Sequence, residues 1–409
     1  LNFLNILPYG KENLIRNITM NATIPIVFHK FVNNWPMRHW DVEKWCSVFG
    51  ERELPFRCLK RDFRSDEPCW ERRCITKKMS FKKFVDSIEA SSEWMYFDYK
   101  YVHQWFDADS ELCKEMSWKL FGYDKGAVDT TIWVGTDGSH TPAHQDTYGY
   151  NIFAQVHGRK RWILFPPDTA GLKPTRVPYE ESSVYSELNF YCPQSLDVFA
   201  GLTGGRMVEL SAGDALLVPR GWWHYVQNID ALNISLNMWL PHEKDPSAHV
   251  SEALIKIFIG QVCKDLPIET ARMVVNPNEF DIADTPLAVL FLQLETVANT
   301  YIDKKRRALR LKRLKTREEP QVPDDEEFDL TAVLEDPENN IQYVPNVTSD
   351  DLVKVVKTNL TKYANVDRLP DDDEVEGSSS LCLTKAVIDA FCQADVIELV
   401  KQNLLAKLS

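Results

Sequence analysis

The stretch Asn151-Ile-Phe-Ala-Gln-Val-His-Gly-Arg-Lys-Arg-Trp-Ile-Leu-Phe165 decides how this chain folds. Apolar residues alternate up to Val156, which predicts a strand with two distinct faces. His157-Gly158 then predicts a tight turn, and the run that starts at Lys160 predicts a return strand. This second strand ends before Pro166-Pro167, because proline cannot continue a strand ladder. We therefore predict a β-hairpin that belongs to a larger sheet.

Further runs of strand character lie on both sides of this hairpin, and the region from Thr131 to Leu240 shows no helical period. Short strands separated by turns favour a closed antiparallel sandwich of jelly-roll type. Such a barrel can hold one small ligand near its mouth. The predicted strands around the hairpin are Thr131–Gly135, Ala215–Val218, Trp223–Gln227 and Asn233–Leu240.

Three potential metal ligands lie within this predicted barrel. His144 and Asp146 belong to Thr141-Pro-Ala-His-Gln-Asp146, and His224 ends Gly221-Trp-Trp-His224. Two imidazoles and one carboxylate can occupy one face of a metal and leave the opposite face open, as in non-haem Fe(II) oxygenases. We therefore predict that these three residues bind Fe(II) and form the catalytic centre.

The sequence contains a second H-x-D pattern, His39-Trp40-Asp41, which we interpret differently. Asp41 precedes an amphipathic run up to Phe49. An aspartate in this position is typical of a helix N-cap, whose carboxylate accepts a backbone N–H of the first turn. We therefore predict a surface histidine and a capping aspartate here, and no metal site.

Three longer motifs carry a resemblance to a known family. They are T-P-x-H-x-D from Thr141, N-x-x-x-Q-x-x-G-x-K-R-W-x-L-F-P-P from Asn151, and G-D-x-L-x-V-P-x-x-W-W-H from Gly213. Together they resemble the JmjC family of Fe(II)/2-oxoglutarate dioxygenases over residues 20 to 245, and within it the branch that hydroxylates protein side chains. The runs Pro174–Val184 and Trp94–Tyr101 resemble the group that associates with small heat-shock proteins.

The resemblance implies a double-stranded β-helix (cupin) core and assigns further roles. His144, Asp146 and His224 match the metal triad. Other matched residues imply contacts with 2-oxoglutarate: Lys160 with its distal carboxylate, the Thr141 hydroxyl and the Tyr96 phenol with that same carboxylate, and Asn151 and Asn237 near its other end.

Lys160 allows two interpretations from the residues alone. On its own strand face it lies beside Trp162 and Leu164, so it can be a buried cation that requires an anion. Alternatively, it can join Arg159 and Arg161 in solvating the end of the hairpin, since charge clusters usually lie at the surface. The metal triad favours the buried interpretation.

The resemblance implies an enzyme whose cofactors are Fe(II), 2-oxoglutarate as cosubstrate, and O2. Three functions remain open. The first is hydroxylation of a protein side chain, linked to a small heat-shock protein or a stress response. The second is demethylation of a histone or other protein lysine, although no chromatin-reader zinc module accompanies the motifs. The third is a non-catalytic scaffold that binds a small heat-shock protein.

Composition indicates which partners and which cellular compartment to expect for this protein. The formal net charge of −13 argues against general nucleic-acid binding. Nine cysteines without a C-x-x-C pair suit a reducing compartment and argue against a zinc site at Cys58, Cys69 and Cys74. We found neither a membrane-spanning apolar run nor a signal-peptide pattern. We therefore expect a cytoplasmic protein, shared with the nucleus.

The basic run Lys304–Lys315 is the local exception to the negative charge. It can be a nuclear-import signal or a polyanion-binding patch. It can equally be the solvated face of a long helix over Pro286–Lys315, because leucines continue within it. The second interpretation is the simpler one.

The chain divides into four predicted parts. Residues 1–118 form an α/β N-terminal extension that packs on the barrel, and residues 119–245 form the barrel. Residues 246–317 form helices that support the barrel or build a homodimer. Residues 318–409 contain acidic linkers and tail helices, since Asp324-Asp-Glu-Glu327 and Pro370–Ser380 are typical of linkers.

Overall fold

The computed structural model describes residues 11–172, 183–267, 285–315, 330–336, 339–364 and 383–408. Most of the run Pro174–Val184 and the linkers Asp324–Glu327 and Pro370–Ser380 lie outside these residues. The strands of the described residues are β1 Ile26–Phe28, β2 Leu54–Lys60, β3 Ile75–Met79, β4 Glu93–Tyr101, β5 Thr130–Gly135, β6 His140–Asp146, β7 Tyr150–His157, β8 Lys160–Phe165, β9 Ser183–Tyr185, β10 Arg206–Leu210, β11 Ala215–Val218, β12 Trp223–Asn228, β13 Asn233–Leu240 and β14 Ile341–Tyr343.

The helices lie mainly before and after the barrel strands. Short 3-10 helices connect several elements at Pro36–His39, Glu71–Arg73, Lys119–Phe121 and Ala127–Asp129. The α-helices of the described residues are α1 Lys11–Asn21, α2 Val42–Phe49, α3 Phe81–Ser87, α4 Val102–Trp105, α5 Glu111–Glu115, α6 Asp197–Ala200, α7 Asp245–Cys263, α8 Leu287–Lys315, α9 Leu330–Glu335, α10 Ser349–Ala364, α11 Leu383–Phe391 and α12 Ala394–Leu408. None of them is long and apolar enough to cross a membrane.

Two antiparallel sheets form the core, which confirms the predicted double-stranded β-helix. The larger sheet has the strand order β14-β1-β11-β7-β13-β5-β4-β2-β3, and the smaller has the order β10-β8-β12-β6-β9. Apolar side chains fill the space between them, among them Phe153, Trp162, Leu164, Leu216 and Val226. The two sheets therefore enclose one interior, as expected for a jelly roll.

Both strands of the predicted hairpin exist, but the prediction that they pair with each other is wrong. β7 pairs with β11 and β13, whereas β8 pairs with β10 and β12 in the other sheet. Gly158 has a φ of 68°, and a Cβ at this position would collide with the backbone oxygen of Leu232. The chain therefore crosses from one sheet to the other at Gly158, because a closed sandwich needs such connections.

Both faces of the larger sheet are buried, and the two faces pack against different partners. Phe153 points into the barrel, while Ile152 and Ala154 pack outward with residues of the N-terminal helices. The N-terminal extension also contributes β2, β3 and β4 directly to this sheet. As predicted from its cap, α2 begins after Asp41. Helix α3 begins after Ser80, whose side chain accepts the backbone N–H of Lys83.

The C-terminal region is helical, as predicted, but it also completes the barrel. β14 pairs with β1 at the edge of the larger sheet, a strand that the sequence analysis missed. Three residues are too short to show a period of two, so no pattern predicted it. Helix α10 covers the outer face of the smaller sheet through Leu352, Val356 and Leu360.

Candidate metal and cosubstrate site

The three predicted metal ligands converge inside the barrel. His144 and Asp146 lie two residues apart on β6, so their side chains share one face of the strand. His224 lies directly opposite His144 in the pairing of β12 with β6. One ligand atom from each of the three residues lies within 4.8 Å of the other two. Among the described residues, this is the group whose donor atoms fit a metal ion.

The orientation of both imidazoles suits metal binding. Nδ1 of His144 lies 2.8 Å from the carbonyl oxygen of Pro142, and Nδ1 of His224 lies 2.9 Å from that of Trp222. These carbonyls can each accept a hydrogen bond from Nδ1, which leaves Nε2 as the free donor atom. Burial, reinforced by the nearby His224, lowers the pKa of His144 to about 4, so its ring stays neutral as a ligand must.

A β-bulge determines where Thr141 points. On β12, His224 and Val226 are two residues apart, but their partners on β6, His144 and Thr141, are three residues apart. The extra residue reverses the alternation, so Thr141 and His144 both face the interior. The Thr141 hydroxyl hydrogen-bonds the phenol of Tyr96 there. Simple alternation along β6 would have placed Thr141 on the outer face.

Lys160 is buried in the barrel and only 1% exposed. Its Nζ donates to Ser235 Oγ at 2.7 Å and to the Tyr96 hydroxyl at 3.5 Å. Burial lowers the pKa of Lys160 to about 7, although the charge of Asp98 acts in the opposite direction. No carboxylate of the described residues forms an ion pair with Lys160. A bound anion would therefore stabilise the charged form of this buried amine.

The two arginines that flank Lys160 in the sequence lie in different surroundings from Lys160 itself. Arg159 points outward, is 51% exposed and pairs with Asp230. Arg161 pairs with Glu209 on the adjacent strand β10. The alternative interpretation of Lys160 as a solvating residue is therefore wrong, because its side chain lies on the interior face.

Asn151 and Asn237 form a chain of hydrogen bonds that ends at the triad. Trp133 Nε1 donates to Asn237 Oδ1 at 2.7 Å, and Asn237 Nδ2 donates to Asn151 Oδ1 at 2.9 Å. Asn151 Nδ2 in turn donates to Asp146 Oδ2 at 3.4 Å. Both asparagines are buried. They therefore orient the Asp146 carboxylate from within the larger sheet.

A cavity of about 510 Å³ opens onto these residues. Thr141, Tyr96, Asn151 and the triad line it, whereas Lys160 and Asn237 lie behind its wall and reach it through Tyr96 and Asn151. The volume suits a small organic acid together with a substrate side chain. The structure thus brings together every residue that the sequence analysis assigned to the metal and the cosubstrate.

Sequence analysis missed several residues that shape this site. Trp239 Nε1 donates to Asp146 Oδ2 at 3.2 Å, and the ring of Tyr185 stacks on His144 with a centroid separation of 5.4 Å. Ser235 and Trp239 alternate with Asn237 along β13, so the period of two could have indicated them. Tyr185 gave no such signal, because only the pairing of β9 with β6 places it opposite His144.

Tyr99 has a strained backbone at the cavity. Its φ is 53°, which is costly for a residue other than glycine, and it lies in a bulge between Phe97 and Lys100 of β4. Its ring contacts those of Trp133 and Trp239 at 5.9 and 5.5 Å. The bulge thus places an aromatic ring in the wall of the cavity.

The donor set fits the implied group. Two neutral imidazoles and a carboxylate with an open opposite face are the ligands that Fe(II) takes in non-haem oxygenases. The buried, unpaired Lys160 ammonium is suited to a dicarboxylate that also reaches the metal. Fe(II) and 2-oxoglutarate are therefore compatible with this site on the chemistry of its residues.

The sequence of this chain is similar to those of known proteins. The cupin-like domain family matches residues 12–245. Human HSPB1-associated protein 1 is 33% identical over 317 residues, which cover 73% of this chain and 64% of that protein. The zebrafish (Danio rerio) HSPB1-associated protein 1 homolog is 35% identical over 305 residues, covering 70% and 67%. Lysine-specific demethylase JMJ30 of Arabidopsis thaliana is 26% identical over 249 residues, covering 58% and 54%.

The family match covers the region that builds the site. The family match ends at residue 245, where helix α7 begins, so it contains all three residues of the triad. The chain spans just under two thirds of the length of the human relative. This chain belongs to the cupin-like family of JmjC-type domains.

Proposed function

We propose that this protein is a Fe(II)- and 2-oxoglutarate-dependent oxygenase that hydroxylates a protein side chain. The observation that carries this proposal is the convergence of His144, Asp146 and His224 within 4.8 Å of one another, next to a buried cation. The cupin-like family and the similarity to a lysine-specific demethylase support an oxygenase activity. The choice of hydroxylation rests on the motif resemblance described above.

The residues of the site have distinct roles in this proposal. Nε2 of His144, Nε2 of His224 and the Asp146 carboxylate would hold Fe(II) from one side, since the other ring nitrogens face carbonyls. Lys160 would bind the distal carboxylate of 2-oxoglutarate, assisted by Thr141 and Tyr96. Bound together, Fe(II) and 2-oxoglutarate supply the oxidation: O2 is consumed, 2-oxoglutarate becomes succinate and CO2, and one oxygen atom enters a substrate C–H bond.

The remaining residues position and shield the reacting groups. Asn151 and Trp239 donate hydrogen bonds to Asp146 Oδ2 and so hold the carboxylate in one orientation. Phe153 and Trp162 line the cavity and exclude water from the interior. No side chain acts as a nucleophile in this scheme.

We further propose a protein substrate in the cytoplasm, shared with the nucleus, and a small heat-shock protein as the first candidate partner. The names of the human and zebrafish relatives support this choice of partner. A homodimer through the C-terminal helices remains a separate prediction.

The test measures succinate and formaldehyde in one incubation. Protein, Fe(II), ascorbate and 2-oxoglutarate are combined with and without a small heat-shock protein or peptides from it, and a His144→Ala variant serves as the control. We expect succinate above the control and a mass increase of one oxygen atom on the substrate. Formaldehyde release would instead indicate demethylation, and succinate no higher than in the control would indicate a non-catalytic scaffold.

A further inference from the structure

The C-terminal end of helix α8 carries a basic segment that the proposed chemistry does not use. We define the basic overhang as residues Lys304–Arg310, in which five of seven side chains are Lys or Arg. The sequence continues with Lys312, Arg313 and Lys315. None of the five basic side chains forms an ion pair with a carboxylate in the part of the chain that the structure describes. The segment is therefore a local excess of positive charge on a chain of net charge −13.

The overhang has no packing partner within the described residues. The buried stripe of α8 consists of Leu290, Leu294, Ala298 and Ile302, and it stops there. From Asp303 to Leu311 every residue is exposed, including Leu309 at 50%. A helix that leaves the protein body in this way extends about 1.5 Å per residue, so the overhang spans about 10 Å. No described residue covers its charged side chains, so a partner can reach them.

The overhang starts near the side of the cavity that Tyr148 and Asp245 line, which we call the rim. The charge of Lys304 acts on His249 in the second turn of α7, and the rings of His249 and Tyr148 are in contact at 4.1 Å. Tyr148 lines the cavity, as does Asp245, the first residue of α7. Asp245 also accepts a hydrogen bond from the backbone N–H of Gly149 at 2.9 Å, which fixes α7 to this rim.

The direction of α8 then follows from its contacts. The core between the two helices includes α7 residues from Val250 onward and α8 residues up to Ile302, while Lys304 is close enough for its charge to act on His249. The helices are therefore antiparallel, and residues after Lys304 run past the start of α7. The overhang consequently begins next to the rim formed by Tyr148 and Asp245.

We propose that the basic overhang binds an acidic stretch of the substrate protein and thereby directs a neighbouring residue of that protein into the cavity. This inference rests on the proposed function as a protein hydroxylase. An acidic peptide matches the charge and the length of a single helix end. A nucleic acid fits less well, because the chain as a whole is negatively charged and the positive patch is confined to one helix.

Binding is tested on the full chain without turnover, so the result is independent of whether succinate is produced. Fluorescence anisotropy measures the affinity for labelled octaglutamate, with octaglutamine, an oligothymidine and phosphatidylserine vesicles as comparison probes. The overhang variant combines Lys305→Gln, Arg306→Gln, Arg307→Gln and Arg310→Gln, since glutamine keeps a similar helix propensity. The control variant removes four exposed lysines elsewhere: Lys82→Gln, Lys83→Gln, Lys119→Gln and Lys354→Gln.

We expect wild type and control to bind octaglutamate equally, and the overhang variant to bind at least about tenfold more weakly. Binding should weaken as salt rises towards about 0.15 M, because exposed charges are screened. Equal loss in both variants, or no loss in either, would overturn the proposal. Tighter overhang-dependent binding of the oligothymidine or of the vesicles would overturn it in favour of a nucleic acid or a membrane surface.

A second measurement tests whether the overhang and the rim bind one ligand. Octaglutamate that carries a benzophenone on a short spacer is photo-crosslinked to the protein, and the crosslinks are mapped by mass spectrometry. We expect crosslinks in the rim segments that contain Tyr148 and Asp245, and their loss in the overhang variant. Crosslinks confined to surfaces away from this rim would refute the role in directing substrate.

Discussion

The two H-x-D sequences of this chain have entirely different roles. His39-Trp40-Asp41 lies at the surface, where Asp41 Oδ1 accepts the backbone N–H of Lys44 at 2.7 Å and caps α2. His144-Gln145-Asp146 lies on β6 inside the barrel, where both side chains meet His224. The same three-residue pattern thus caps a helix in one region and offers metal ligands in the other.

The difference comes from the local backbone and from the neighbouring strand. On a strand, residues two apart share a face, so histidine and aspartate can act on one ion. In the surface motif the two side chains have separate partners: His39 Nε2 lies 2.7 Å from the carbonyl oxygen of Asn33, and Asp41 accepts the backbone N–H of Lys44. The pairing of His144 with His224 across two strands adds a third potential ligand. An H-x-D pattern is therefore informative about metals only with its secondary structure and its partner strand.

The largest expected effect distinguishes the two aspartates. Asp146→Ala should weaken binding of Fe(II), or of Co(II) as a probe, by more than about 100-fold and abolish succinate formation, because it removes a ligand rather than a supporting hydrogen bond. Asp41→Ala is the matched control and should bind the metal normally. Titration calorimetry under anaerobic conditions measures both. Unchanged metal affinity in the Asp146 variant would refute the proposed site.

The second-largest expected effect concerns Lys160, which lies in the barrel with the motif that ends at Asp146. Lys160→Met should weaken 2-oxoglutarate binding by about 100-fold, since it removes a charge-assisted contact in a buried site. The free protein should lose no stability, because a buried and unpaired charge is itself costly. Arg159→Met, at the exposed neighbour, should change neither property. Equal cosubstrate affinity in the two variants would show that another residue binds this carboxylate.

The third effect concerns the tryptophan near each H-x-D motif. The one that contacts Asp146 should affect metal affinity, and the one inside the surface motif should not. Trp239→Phe removes the donor to Asp146 Oδ2 and should weaken metal binding by about tenfold. Trp40→Phe alters the tryptophan inside the surface motif and should leave metal affinity unchanged. Circular dichroism checks that both variants are folded. A Trp239 variant with wild-type affinity would assign the orientation of Asp146 to Asn151 alone.

The pH dependence follows from the pKa of Lys160, which burial lowers from 10.5 to about 7. A dicarboxylate stabilises the ammonium, so its binding above pH 7 requires uptake of one proton, and affinity should fall about tenfold per pH unit there. In the free protein, the contribution of Lys160 to stability changes with pH in the opposite direction. Between pH 7 and 10.5 the unfolded chain holds this proton and the folded one does not, so the contribution of Lys160 to stability rises with pH.

Calorimetry in buffers of different ionisation enthalpy counts the protons taken up on 2-oxoglutarate binding. The Lys160→Met variant provides the control and should show no uptake from this group. Binding without proton uptake at pH 8 in the wild type would mean that Lys160 already carries its charge in the free protein.

The smallest expected effect lies at the surface motif. Asp41→Ala should reduce the free energy of unfolding by about 1 kcal/mol, because α2 loses its N-cap. Urea denaturation measures this change, and Asp41→Asn should restore most of it, since asparagine caps equally well. A loss of succinate formation in a folded Asp41→Asn variant would contradict the assignment of this motif to structure alone.

Much of the fold was predictable, because alternation and turn residues carry the strand signal. β7, β8, β11, β12 and β13 all lie where the sequence placed them. Their pairing was not predictable: the turn at Gly158 looked like a hairpin but connects two sheets. Register and sheet membership depend on contacts between distant residues, which no local pattern contains.

The site shows the same limit at the level of single residues. The family motifs indicated the triad and Lys160 by their identity. The position of Thr141 on the inner face depends on a β-bulge, and that of Tyr185 depends on the pairing of β9 with β6. Hydrogen-bond partners such as Trp239 and the carbonyls of Pro142 and Trp222 became known only from the folded chain.

The sequence by itself determined which chemical groups this protein possesses and which short segments become strands, because residue type and alternation are local properties. The tertiary structure alone decided which of two identical patterns faces an interior, which of three adjacent basic side chains is buried, and where the basic end of α8 emerges. These outcomes depend on how two sheets close around one another, and closure is a property of the whole chain.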